Sequence, residues 1–426
     1  MQQRLQPVRG THDIFPEESA KRRFIEEQWR RAAQAYGFGE IATPVFEQTE
    51  VFHRTLGDTS DVVTKETYTF LDRGGDSLTL RPEFTASVVR AFISAGLTQN
   101  LPQKFFYQGA AFRYERPQRG RLRQFHQVGV ELLGAPEPEA DVEVIALAAQ
   151  GLNALGLLPH VTLEINSLGD AASRDAFRAE IVSYFTPHRE KLSEESKIRL
   201  EKNPLRILDS KSDEDRLLIK DAPTYDRCLS ESARAFKQSV WSGLENLGVM
   251  RQVNVVWNPR LVRGLDYYNH TVFEFTTARL GAQGTVLAGG RYDGLVPQMG
   301  GPDVAGVGFA AGVERMLALM EEINASFPLP PPVITVIPMG EAAEATAWKL
   351  AISLREQGFC VDIAYRGNAK KRFQRADRIG AALALILGED ELKSGGVTVK
   401  DLRDGRQWGV ALDALGQVLH TQLASG

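Results

Sequence analysis

Two cysteines, Cys228 and Cys360, are all that 426 residues contain. So few exclude a disulfide framework and any zinc site built on cysteine pairs, and they fit a reducing compartment. The seven histidines never fall in H-E-x-x-H spacing, and no resident metal site is expected. No apolar run reaches the length of a membrane span. The opening MQQRLQPVRG lacks the apolar stretch of a secretory signal. A cytoplasmic protein with no membrane partner is expected. Excess positive charge is missing too: the net charge is −4. A nucleic-acid partner would have to be met by local patches. Internal repeats and low-complexity segments are also absent.

What remains is an ordinary globular composition, 43% hydrophobic and 24% charged, long enough for two to three domains and a large core. The segment EESAKRRFIEEQWRRAAQAYGFG reads as a helix stopped by Gly37, with Phe24, Trp29, Ala32 and Ala33 as its apolar stripe. IATPVFE reads as a strand, YTFLDRGGDSLTLRPE as a hairpin, and Glu83 to Ala95 as a helix following Pro82. From about 170 to 250 the pattern is helical and highly charged. LAGGRYDGL reads as a glycine-rich turn, and VAGVGFAAGVERMLALMEE as a strand running into a helix. FPLPPP at 327–332 is the clearest boundary, because proline at that density stiffens a linker. Strand and helix patterns alternate after it. The expected division is 1–325, a linker at 326–332, and an α/β domain at 333–426.

Charge concentrates in FRYERPQRGRLRQFHQVGVE, residues 112–131, with five arginines and two glutamates. Pro117 and Gly120 mark a loop between two strand patterns. Alternation places Arg113 and Glu115 on one face of the first strand. It places Phe125, Gln127, Gly129 and Glu131 on one face of the second. Gly129, lacking a side chain, is expected to leave a gap for a ligand. The stretch admits two readings, a ligand site or a solvated, salt-bridged hairpin.

Three other segments admit a similar choice. In LRPEFTASV, Glu83 either caps a helix or faces a ligand ammonium. In LVRGLDYYNHTVFEF, alternation sets Arg263 and Tyr267 on one face and Tyr268 and His270 on the other, unless a bulge follows Gly264. In AGVGFAAGVERM, Gly306, Gly308 and Gly312 miss the dinucleotide fingerprint by one residue. They indicate tight packing, or they place Arg315 against an anion or an aromatic base.

Taken together and in order, VRGTHDIFP, LTLRPEFTA, FRYERPQRGRLRQFHQVGVE, LVRGLDYYN, AGGRYDGL and GVGFAAGVERM closely resemble the signature segments of bacterial histidyl-tRNA synthetases, class II aminoacyl-tRNA synthetases. The resemblance implies an α+β fold: an antiparallel β-sheet catalytic core flanked by helices, a helical insertion at about 170–250, and a C-terminal α/β anticodon-binding domain. It implies a homodimer with the first long helix and IATPVFE at the interface. The partners would be histidine, ATP with Mg2+, and the histidine-accepting tRNA. By resemblance, ATP contacts Arg113, Glu115, Arg121, Phe125 and Arg315, with adenine between Phe125 and Arg315. Histidine contacts Glu83, Phe84, Thr85, Gln127, Glu131, Arg263, Tyr267, Tyr268 and Tyr292. Arg113 and Arg263 carry the catalytic positive charge. Arg116, Gln118 and Arg119 meet the tRNA acceptor end, and Lys371, Arg375 and Arg378 the anticodon region, unless these last form a solvated helix face. A paralogue in the same family is a non-catalytic regulatory subunit of ATP phosphoribosyltransferase. That class lacks the C-terminal domain and has eroded motifs, whereas this chain keeps Arg113, Gln127, Glu131, Arg263 and Arg315. A non-catalytic RNA-binding module would require the motifs to be coincidental.

Overall fold

The computed structural model describes every residue except 1–3, 57–65, 118–119, 211, 263–266, 329 and 425–426. The described chain divides into two compact units, Met1–Phe327 and Pro328–Gly426.

The first unit begins with α1 (Pro16–Ala35). Proline sits in the first turn, where its missing N–H costs nothing, and Glu17 and Glu18 complement the helix dipole. Gly37, at φ +79°, ends it. The inward stripe is Arg22, Ile25, Trp29, Ala32 and Ala33; Phe24 is only partly buried. Trp29 packs on Phe309, ring centroids 5.5 Å apart, and its Nε1 donates to Met316 Sδ at 3.1 Å.

The strands β1 (Gly39–Glu40), β2 (Phe46–Gln48), β3 (Tyr68–Leu71) and β4 (Ser77–Leu80) follow, with α2 (Thr49–Leu56) and α3 (Thr85–Ser94) around them. IATPVFE is therefore a strand only at its end, because Pro44 cannot join a ladder. The long hairpin is β5 (Gln103–Phe112) and β6 (Gln124–Leu133), followed by α4 (Pro138–Ala154) and β7 (Thr162–Ser167). The insertion carries no strand among its described residues: it is built of α5 (Ala171–Phe185), α6 (Glu194–Lys202), α7 (Asp213–Ile219), α8 (Glu231–Asn246) and α9 (Val249–Gln252), the first four linked through 3-10 turns. Its charged middle is tied together by buried Asp215, which accepts from Ser193 N at 2.8 Å and from the hydroxyls of Ser193, Ser196 and Ser210. The unit closes with β8 (Asn254–Trp257), β9 (Asn269–Thr276), β10 (Thr285–Arg291), α10 (Leu295–Gln298), β11 (Gly306–Gly312) and α11 (Val313–Glu322).

Eight of these strands form one sheet in the order β1-β5-β6-β11-β10-β9-β7-β8. It is antiparallel apart from the outer pairs β1/β5 and β7/β8. LAGGRYDGL is a turn only at Asp293 and Gly294: its first half belongs to Thr285–Arg291, an inner strand. Its glycines serve close packing. A Cβ at Gly290 would meet the Thr271 carbonyl at 2.6 Å and the Tyr268 ring at 2.9 Å. Arg291 is fully buried and pairs with Asp141 and Asp293.

The second unit carries β12 (Val333–Pro338), α12 (Glu344–Glu356), β13 (Cys360–Ile363), α13 (Ala369–Arg378), β14 (Leu383–Leu387), α14 (Glu389–Ser394), β15 (Gly396–Asp401), β16 (Gln407–Ala411) and α15 (Leu415–Ala424). The sheet order is β13-β12-β14-β15-β16, with the first three strands parallel and the last two antiparallel. The sequence pattern does not mark α14, β16 or α15. Among the described residues no helix is long and apolar enough to cross a membrane.

Candidate active site

The central strands of the eight-stranded sheet floor a cavity of about 510 Å³. Side-chain alternation on β6 points Phe125, Gln127 and Glu131 into it, as the sequence pattern requires. Glu83, Thr85, Arg113, Glu115, Arg121, Tyr267, Tyr268, Tyr292 and Arg315 also line it. Segments more than two hundred residues apart thus converge on one space.

Glu131 lines the cavity and is only 1% exposed. Thr85 Oγ1 donates to its Oε1 at 2.6 Å, the Tyr107 hydroxyl donates to the same oxygen at 3.4 Å, and Tyr292 donates to Oε2. Burial pushes the Glu131 carboxyl up to about 8, against the opposing pull of these hydroxyls, and the nearby Glu83 adds to the rise. Near neutral pH it is therefore largely protonated. Such a shift has a consequence for stability. The unfolded carboxyl titrates near 4.5, so between 4.5 and 8 the folded protein holds more protons. Stability therefore falls as pH rises across that window, by about 1.4 kcal/mol per pH unit. Glu131→Gln removes this titration. The melting temperature of the ligand-free variant, minus that of the wild type, is expected to climb between pH 5 and 8 and level off above. A flat difference would place Glu131 at its ordinary value.

Glu83 is buried, and its two oxygens accept the N–H groups of Thr85 at 2.6 Å and Ala86 at 2.9 Å. It caps α3 and lines the cavity at once, so the two readings of this residue are compatible. Burial raises its carboxyl as well. Gln127 Oε1 is buried with no hydrogen-bond partner among the described residues. An orphan acceptor in a polar cavity is a place for a ligand donor.

The gap anticipated above Gly129 is closed. A Cβ there would strike the Tyr107 hydroxyl and the Phe309 carbonyl, because Tyr107 pairs with Gly129 across the hairpin and fills that space. The glycine that makes room for Glu131 is Gly308, its neighbour on β11, where a Cβ would run into the carboxyl itself. Phe84 does not line the cavity. It is 1% exposed and stacks on Tyr107 at 4.5 Å, beneath the guanidinium of Arg81. Tyr267 and Tyr268 do not divide between two strand faces. The strand starts only at Asn269, and both rings, 4.7 Å apart, reach the cavity.

At the other end, Arg113 Nε donates to the Pro82 carbonyl at 2.9 Å, and its guanidinium lies over Phe125 at 5.3 Å. Arg315 reaches across to the carbonyls of Thr285 at 2.6 Å and Gly120 at 3.5 Å. Glu115 and Arg121 form an ion pair with each other. The sequence reading missed Tyr107, which is buried against Glu131, and two carboxylates of the lining, Glu274 and Glu314. Tyr107 was legible in principle as the bulky partner of a strand glycine. Glu274, which accepts from Thr285 Oγ1 at 2.9 Å, and Glu314, which holds His126, depend on long-range register and carry no local signal.

Arg263, Gln118 and Arg119 lie outside the described residues. Arg116 is exposed beside the cavity's arginine loop. In the second unit, Lys371 and Arg378 are exposed on α13, but Arg375 is held by Asp362 in a two-pronged ion pair, 2.8 and 2.9 Å. Its charge is already matched, so the face offers fewer cations to a phosphate than its composition suggests.

The sequence model described as "Histidyl-tRNA synthetase" matches residues 10–316, and "Anticodon binding domain" matches 334–422. The chain is 57% identical over 415 residues to the histidine–tRNA ligase of Rhodospirillum rubrum, covering 97% of this chain and 98% of that one. It is 55% identical to that of Gluconacetobacter diazotrophicus, covering 96% and 97%. A crystal structure of apo Staphylococcus aureus histidyl-tRNA synthetase superposes with a TM-score of 0.83 at 35% identity, covering 97% of this chain and 99% of that one.

Proposed function

Because the chain belongs to the histidyl-tRNA synthetase family, we propose that the cavity over β6 and β11 is where histidine and ATP react. The activity is that of the family. Histidine and ATP give histidyl-adenylate and pyrophosphate, and histidine then passes to its tRNA. Full-length relatives named as ligases favour this over the regulatory-subunit alternative.

One observation carries the assignment of the site: a buried, raised Glu131 carboxyl ringed by hydroxyls, beside an orphaned Gln127 oxygen. The carboxyl can share a proton with an imidazole nitrogen. Gln127 and Glu83 accept from the α-ammonium, and the tyrosines close around the ring. A site built to hydrogen-bond a polar side chain rejects analogues lacking one by large factors, so no editing step is needed.

The histidine carboxylate attacks the α-phosphorus and pyrophosphate leaves. Two anions must meet, so catalysis consists of positioning and of positive charge aimed at the phosphoryl oxygens. Arg113 supplies that charge on one side. Arg263 supplies it on the other, a role that rests on the motif LVRGLDYY alone. ATP exchanges the Glu115–Arg121 pair for new contacts, Glu115 with the adenine amine and Arg121 with the outer phosphates. Phe125 and Arg315 hold the adenine between them. Magnesium enters with ATP as part of the substrate. The tRNA 3′-ribose hydroxyl then attacks the adenylate carbonyl and AMP leaves, with Arg116, Gln118 and Arg119 at the acceptor end.

A homodimer in the cytoplasm completes the proposal. The small sheet β2-β4-β3 turns an apolar face outward: Phe46 and Phe70 are half-exposed and share it with Leu78 and Leu80. A second copy is the partner that would cover it.

The test is ATP–pyrophosphate exchange without tRNA, run across all twenty amino acids. Exchange with histidine alone is expected. No exchange with any amino acid, from folded protein that still binds histidine, would return the regulatory reading.

A further inference from the structure

Tyr365 is 86% exposed, the most exposed aromatic ring among the described residues. It stands just past the carboxyl end of β13. Its ring stacks on Trp348 of α12, centroids 6.0 Å apart and planes 24° from parallel. Trp348 is packed against the hydrophobic core of the second unit. One face of Tyr365 is thereby held by a fixed support, and the rest of the side chain is left in water. A large apolar ring kept in that state has no folding purpose, since it buries little area.

Its surroundings are those of an anion-tracking edge. Six of the unit's twelve lysines and arginines fall between residues 366 and 378, against one acid, Asp377. Arg366, Lys370, Lys371 and Arg378 are exposed. Arg372 Nη1 donates to the carbonyl of Pro338, the last residue of β12, at 3.0 Å, and pairs with Glu344, the first residue of α12. The starts of both helices therefore gather at the carboxyl edge of the parallel strands. Open α/β sheets take ligands at that edge. The Arg375–Asp362 pair braces α13 against the strand that leads into Tyr365.

We propose that Tyr365, supported by Trp348, is a stacking platform for one unpaired base of the tRNA anticodon loop, with the exposed cations of 366–378 following the backbone on either side. A proud aromatic ring beside scattered positive charge is how single-stranded RNA is held, because every base offers a π-face. The proposal rests on the second unit being the tRNA-binding domain of a charging enzyme.

The test compares wild type, Tyr365→Ala and Tyr365→Phe in ATP–pyrophosphate exchange and in charging of two RNAs: whole histidine-accepting tRNA, and a minihelix of its acceptor half without the anticodon arm. Tyr365→Ala is expected to leave exchange unchanged and to raise KM for whole tRNA roughly 5- to 100-fold. Tyr365→Phe should behave as wild type, and all three proteins should charge the minihelix alike. An unchanged KM of Tyr365→Ala for whole tRNA would overturn the platform, and so would an equal loss on the minihelix. A wild type that neither exchanges nor charges would instead overturn the ligase reading itself.

Discussion

Glu131→Ala is expected to lower kcat/KM for histidine by roughly a thousandfold in pyrophosphate exchange, with KM for ATP little changed. The size follows from a polar substrate side chain losing a buried partner while the hydroxyls of Thr85 and Tyr292 lose their acceptor. The fold should survive, because this carboxyl is held in the core against its own solvation rather than for stability. Circular dichroism and a melting curve check that point, and steady-state exchange checks the rest. A histidine KM equal to the wild type's would remove Glu131 from substrate recognition.

Arg113→Ala is expected to cost roughly a hundred- to a thousandfold in kcat for exchange, with a smaller change in KM for ATP. Losing one preorganised charge at the place where negative charge develops has about that effect. Arg113 is preorganised here. The Pro82 carbonyl fixes Nε and the Phe125 ring supports the guanidinium plane. Lysine should not rescue it, since an ammonium offers neither the fork nor the plane. Single-turnover adenylate formation at saturating ATP separates the two parameters. Full rescue by Arg113→Lys, or an effect confined to KM, would contradict the assignment.

These two residues also mark how far the sequence could be read. Gln127 and Glu131 fall on one strand face because alternation is written into the covalent chain, and the cavity confirms that they share a wall. The four segments that converge on it were legible by type. Their register was not. Gly129 looked like a hole, but what lies over a strand glycine is decided by the neighbouring strand, and here that is Tyr107. Gly289 and Gly290 of LAGGRYDGL looked like part of its turn for the same reason: glycine marks a close approach as readily as a bend, and only the tertiary partner, such as Thr271 on β9, decides which. Arg375 looked like a phosphate contact until Asp362, thirteen positions earlier, came to lie beside it. Phe84 sits between two lining residues yet points beneath them. These cases share one cause. Periodicity fixes the face a side chain takes, whereas tertiary packing, of strand on strand or helix on strand, fixes what it meets.

The row of positions that crosses the sheet through Glu131 runs on to Gly308 and then Gly290. Neither glycine can accept a Cβ without striking the carboxyl, the Tyr268 ring or a neighbouring carbonyl. This row bears on how such a site can evolve. Gradual reshaping of the pocket by one added methyl at a time is closed at its floor, because an atom added at Gly308 meets the Glu131 carboxyl and one added at Gly290 meets the Tyr268 ring and the Thr271 carbonyl. Filling Gly308 therefore requires a change at Glu131 as well. The shape of this floor is held by the emptiness of two positions as firmly as by the side chain of the third.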